Sequence, residues 1–146
     1  MTDPRLLALA TAVPPYAMHQ ADVRVRAAHL FAGAGAGAEV DRLMPVFDNA
    51  GIDTRYSCVP IDWYQEPPGW KERNRIYLES ALDLLERVTR NCLDQAGLAP
   101  DAIDAIVVVS TTGIATPSLD ALLINRLGSR PTCCGCRSSV SAAPAA

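Results

Sequence analysis

The sequence predicts an α/β fold, and three neighbouring features predict it. Residues 71–96 carry an amphipathic helical pattern, residues 105–110 (Ala-Ile-Val-Val-Val-Ser) form an apolar run without polar alternation, and residues 118–127 return to helical spacing. A strand apolar on both faces between two helices is the pattern of a parallel sheet covered by helical layers.

The elements follow in order. Residues 5–13 are a Leu/Ala run stopped by Pro14-Pro15, which reads as a strand leaving a sheet. Residues 21–31 place Val23, Ala27, Leu30 and Phe31 on one helical face. The Gly/Ala alternation of residues 32–38 weakens helix and reads as a loop. A short helix over residues 43–50 should carry Pro45 in its first turn, where a missing amide proton does little harm, and end at Gly51. Residues 52–60 have strand character, and residues 62–70 are a loop rich in Pro, Trp and Tyr. In the long helix, Tyr77, Ala81, Leu84, Leu85, Val88 and Cys92 form the apolar face, while Asp83 to Arg87 and Glu86 to Arg90 are acid-then-base pairs four apart. Gly97 ends that helix and Pro100 prevents its resumption. Ser118 is placed to cap the helix of residues 118–127.

Composition limits the partners. Thirteen basic and sixteen acidic side chains give a net charge of −3 and a pI near 5.3. Neither nucleic acid nor an anionic membrane is expected to bind, because both need clustered Lys and Arg. No apolar run reaches the roughly 18 residues of a membrane helix. Asp3 and the short apolar stretch after it do not make a secretory signal, so a cytoplasmic location is expected. Five cysteines, an odd number, argue against a disulfide framework. Cys133, Cys134 and Cys136 crowd together, but their spacing is not that of a zinc ribbon. The only histidines, His19 and His29, lie far away, so no metal site is expected.

The residues taken alone hold little catalytic equipment. Cys58 and Cys92 read as small buried thiols, and His19 and His29 accompany no nucleophile pattern. Gly33, Gly35 and Gly37 neither follow a buried strand nor precede a lysine, so they are no phosphate-cradling loop. The segment Ser110-Thr-Thr-Gly-Ile-Ala-Thr-Pro-Ser-Leu-Asp120 is different. It follows the carboxyl end of the apolar strand, where open α/β sheets place ligands. Its hydroxyl groups can line a cavity or cap a strand-to-helix turn locally.

Several blocks together resemble bacterial type III polyketide synthases, relatives of chalcone and stilbene synthases. They are Ala8-Leu-Ala-Thr-Ala-Val-Pro-Pro15, Asn49-Ala-Gly-Ile-Asp-Thr-Arg-Tyr56, Trp63-Tyr with Gly69-Trp-Lys-Glu-Arg73, the whole of residues 105–120, and Asn125-Arg-Leu-Gly128. The resemblance implies that residues 1–131 are the early part of a thiolase-like fold, an incomplete first half, with no bound cofactor. Family members load an acyl-CoA starter on a cysteine, extend it with malonyl-CoA and cyclise the product, working as homodimers. By position, Thr111 and Thr112 resemble cavity-lining residues. Thr116 resembles the residue that reaches across the family's dimer interface, and Arg55 a basic residue at the CoA entrance. The nucleophilic cysteine of a Gly-Cys-Ala-Gly-Gly turn, and the downstream His and Asn, have no counterparts in these 146 residues.

Residues 132–146 break the pattern, with a single β-branched aliphatic residue and no Leu, Ile or Phe. They are expected to be disordered and to supply no strand. One permitted codon choice for them, read one base earlier, spells Asp-Val-Leu-Arg-Leu-Pro-Val-Phe-Gly-Leu-Gly-Cys-Ala-Gly-Gly, which is the family's strand and nucleophile turn. A shifted reading frame is therefore one origin for the tail. The resemblance implies an acyltransferase piece that is catalytically incompetent as written. A fragment of another thiolase-like ketoacyl synthase, a dimerisation module and a thiol-rich metal binder are the alternatives.

The piece should also be fragile. Of Ile106, Val107, Val108 and Val109, two face each side of the sheet. If one covering layer is missing, two side chains stay wet and forfeit roughly 3–6 kcal/mol, at about 1.5–3 each. Against typical net stabilities of about 5–15 kcal/mol, a marginal or aggregating polypeptide is expected.

Overall fold

The computed structural model describes residues 3–33, 42–129 and 134–137. It divides into two compact units, one of Val13–Gly69 and one that joins Met1–Ala12 to Trp70–Ala146.

The Val13–Gly69 unit contains β1 (Tyr16–His19), α1 (Gln20–Gly33), α2 (Pro45–Asn49), β2 (Thr54–Ser57) and a 3₁₀ turn over Ile61–Gln65. β1 and β2 pair antiparallel, with Tyr16 opposite Ser57 and His19 opposite Thr54. The strand expected over residues 5–13 does not form. Leu6, Leu7 and Leu9 stand 84%, 66% and 75% exposed, and without a neighbouring strand an apolar run has no ladder to join. The strand begins instead just past Pro14-Pro15, where Met18 is buried against its neighbours. Pro45 sits in the first turn of α2, and Gly51 takes the left-handed conformation (φ 61°), both as the sequence predicts. Gln20 ties the unit together. Its backbone N–H donates to Asp53 O (2.9 Å), its amide nitrogen to Phe47 O (2.8 Å), and its amide oxygen accepts from Arg55 Nε (2.7 Å). The loop predicted over residues 62–70 is partly a 3₁₀ turn, whose Tyr64 hydroxyl bonds Ser57 Oγ at 3.1 Å. The Gly/Ala loop of residues 32–38 falls largely outside the described residues, and α1 itself continues through Gly33.

The other unit contains α3 (Trp70–Ala96), a 3₁₀ turn over Pro100–Ala102, β3 (Ala105–Val108), α4 (Leu119–Leu127) and β4 (Cys134–Arg137). α3 packs on α4. Leu119, Leu123 and Leu127, four apart, are the buried stripe of α4, and Leu82 and Leu93 are the buried residues of α3. The predicted face of α3 is therefore displaced: Tyr77, Ala81, Leu84, Leu85, Val88 and Cys92 are only half-buried. Neighbouring apolar stripes on one long helix look alike in sequence, and contact with α4 selects between them. Cys58 and Cys92, expected buried, are likewise half-buried free thiols. Of the two predicted pairs, Glu86–Arg90 is present at 2.8 Å, whereas Asp83 binds Arg126 of α4 at 2.5 Å. Gly97 and Gly128, both at φ 67°, end their helices in left-handed turns.

Two expectations about the sheet need correction. β3 is not buried on both faces: Val107, and Val109 just past the strand, are 64% and 59% exposed, while Ile106 and Val108 are half-buried. This is the one-sided outcome that a missing covering layer produces. The tail does supply a strand, because Cys134–Arg137 pairs parallel with β3 and places Cys136 opposite Val107. A parallel ladder is made by backbone amides and carbonyls, so a segment without large apolar side chains can complete it. Residues 138–146 of the tail lie outside the described residues.

Burial separates two substitutions. Leu123 is 2% exposed, so Leu123→Ala should cost about 2–5 kcal/mol in urea unfolding. Val107→Thr, at a site 64% exposed, should stay within about 0.5 kcal/mol.

Candidate functional site

Parallel strands share a carboxyl edge, and the chain leaves β3 there into residues 109–118 before entering α4. The first turns of α3 hold this loop. Asn74 clamps it at two points: Asn74 Nδ2 donates to Ile114 O (3.0 Å), and Ile114 N–H donates to Asn74 Oδ1 (3.0 Å). The Tyr77 hydroxyl bonds Ser110 Oγ at 2.5 Å, and Ser110 Oγ in turn accepts the Thr112 N–H at 3.5 Å. The Tyr77 ring lies directly against Gly113. Thr116 and Pro117 are joined by a cis peptide bond. Ser118 is the N-cap position of α4 with extended backbone, and its carbonyl accepts the Leu122 N–H at 3.0 Å. Its hydroxyl does not cap the helix, contrary to the sequence expectation. Asp120, in the first turn of α4, is buried where the helix dipole favours a carboxylate.

Thr111, Thr112 and Thr116 are all exposed on this loop. Among the described residues, no hydrogen bond engages their hydroxyls. Arg55 lies in the Val13–Gly69 unit, in the middle of β2 opposite Met18, with its guanidinium held by Gln20. Among the described residues Arg55 joins no ion pair, which leaves its charge available to an anion. Neither His19 nor His29 belongs to the loop or to the Arg55 site, and the described residues hold no cluster suited to a metal ion.

Charge on α3 reinforces the scaffold. Arg75 bridges Glu72 and Glu79, and its hydrogen bond to Glu72 holds that carboxyl below its usual range. Arg126 is held charged, first by its hydrogen bond to Asp83, and Arg90 donates to the Arg126 carbonyl at the carboxyl end of α4. Sequence reading missed Asn74 and Tyr77 as loop holders. The available signal was an asparagine inside a helix, a residue whose side chain prefers to bond backbone outside it.

A helix-held loop with exposed hydroxyl residues at the carboxyl edge of a parallel strand pair lies where open α/β sheets place ligands. Comparison with known proteins shows which family the chain resembles. A Bacillus subtilis protein named for chalcone synthase is 32% identical over 131 residues, covering 86% of this chain and 35% of that protein. The 1,3,6,8-tetrahydroxynaphthalene synthase of Streptomyces peucetius is 37% identical over 123 residues, covering 84% and 32%. The crystal structure of the Streptomyces coelicolor tetrahydroxynaphthalene synthase, a bacterial type III polyketide synthase, superposes with a TM-score of 0.77 at 28% identity, covering 92% of this chain and 38% of that one. No family model matches the sequence. The chain is a type III polyketide synthase homologue, chalcone synthase-like in sequence, and carries part of the thiolase-like fold. It spans about a third of the length of the curated relatives it matches.

Proposed function

We propose that these residues belong to the starter- and malonyl-CoA-handling part of a type III polyketide synthase. In the complete enzyme, Thr111 and Thr112 line the acyl cavity, Thr116 reaches toward the partner subunit of a homodimer, and Arg55 meets a phosphate of CoA. The observation that carries this reading is the exposed threonine loop, fixed by Asn74 and Tyr77 at the carboxyl edge of β3. The reaction on CoA thioesters is placed by this reading in the cytoplasm; no described helix is long and apolar enough to cross a membrane.

The same reading assigns residues 132–146 to a shifted frame. β4 supports it in one respect: the backbone after α4 runs where a strand leading to the nucleophile turn is needed. Sequencing the DNA from the Asn125 codon onward tests the idea. Triplets that spell the Gly-Cys-Ala-Gly-Gly peptide in another frame confirm it, and triplets that cannot encode it end it. Arg55 has its own test. Arg55→Gln should weaken CoA binding roughly tenfold in a calorimetric titration, the effect of losing one charge-assisted hydrogen bond, while the thermal midpoint moves little. Unchanged CoA affinity removes Arg55 from the site.

A further inference from the structure

The Val13–Gly69 unit carries a half-open cavity of about 260 Å³ between α1, the antiparallel β1–β2 pair and the 3₁₀ turn. Met18, Val23, Ala27, Leu30 and Ile61 give it an apolar wall. Of the three hydroxyl-bearing residues that line it, Tyr56, Ser57 and Tyr64, the last two bond each other at 3.1 Å, and Ser57 Oγ also accepts the Val59 N–H, so this pair is satisfied without a ligand. Two guanidinium groups border the cavity. Arg26 is neutralised by Asp62 at 2.7 Å, whereas Arg55 bonds the neutral Gln20 amide and joins no ion pair among the described residues. The cavity is therefore apolar inside, with one uncompensated positive charge on its border.

We propose that this cavity binds a medium-chain aliphatic carboxylate, its tail against Leu30 and Ala27 and its carboxylate on Arg55. Charge selects the head, since a cationic or neutral head leaves Arg55 unanswered. Apolar burial selects the tail, since a water-filled pocket of this lining gains free energy when hydrocarbon replaces the water. A volume somewhat below the usual drug-sized range suits a short chain rather than a membrane lipid. The proposal goes beyond the CoA reading of Arg55: both ligands bring an anion to that residue, but only the carboxylate needs the cavity.

The test uses the complete 146-residue chain with methionine methyl groups labelled for NMR, titrated with octanoate. Met18 lines the cavity and the equally buried Met44 does not, so Met18 should shift saturably while Met44 stays still. Acetate, with the head alone, and octylammonium, with the tail and the opposite charge, should shift neither. Arg55→Gln should weaken octanoate roughly tenfold. Leu30→Trp, filling the cavity from its border, should abolish octanoate binding and leave CoA binding intact; Ala27→Phe serves as a second filling variant. The proposal falls if octanoate leaves Met18 unmoved, if octylammonium works as well, or if both filled variants still bind. CoA binding that depends on Arg55 in a chain indifferent to octanoate overturns the cavity proposal alone.

Discussion

The 146-residue polypeptide is expected to form no product from malonyl-CoA and an acyl-CoA starter. Condensation in this enzyme class needs a thiolate that holds the acyl group and donors that stabilise the enolate and the tetrahedral oxyanion. The two cysteines with described side chains do not supply that thiolate. Cys58 follows β2 and Cys92 lies on α3, both half-buried, and neither stands in a Gly-Cys-Ala-Gly-Gly turn. What remains is an exposed threonine loop, which can position a substrate but cannot activate it. Losing a nucleophile costs on the order of 10⁶ in turnover in well-studied hydrolases, so the drop should reach the detection limit. Radiolabelled malonyl-CoA followed by chromatography provides the measurement. The product of a gene restored to the alternative frame and extended to full length should recover condensation, and Cys→Ala at the restored turn should return it to background. Product from the purified 146-residue chain itself would contradict the assignment.

Elements whose signal is local were legible in the sequence. α3 and α4 carry helical periodicity, and Gly51 and Gly97, read as helix stops, both take the left-handed conformation. Elements that depend on a distant partner were not. Residues 5–13 have strand composition but no ladder, whereas Cys134–Arg137 has poor strand composition and does have one. A strand exists through its neighbour's backbone, which composition does not record. The loop divides in the same way. Its threonines were singled out because the order of blocks resembles a known family. Their support was not, because Asn74 and Tyr77 act across 40 and 33 residues of sequence. The apolar stripe of α3 was misread for a related reason, since Tyr77 was taken as core when its hydroxyl serves the loop.

Gly113→Ala should cost about 2–4 kcal/mol, combining overpacking of about 1–3 with a lost hydrogen bond of about 1. The cause is space rather than backbone. Gly51, Gly97 and Gly128 have positive φ and open room for a side chain, whereas Gly113 has no left-handed backbone, and a Cβ there would overlap Tyr77 Cδ1 and lie 2.5 Å from Cε1 and 2.8 Å from Cγ. The ring cannot give way freely. Its hydroxyl is bonded to Ser110 Oγ, and retreat of the loop would open the two-point Asn74–Ile114 clamp. A double-mutant cycle isolates the contact. Tyr77→Ala removes the obstruction, so adding Gly113→Ala to it should cost little, giving a coupling of about 1–3 kcal/mol by urea unfolding. Strict additivity would mean that the ring does not define the space. In a chain that already exposes Val107 of β3 and Val109 just past it, the single Gly113→Ala change should consume a large part of the net stability, with loss of near-ultraviolet circular dichroism as its signature.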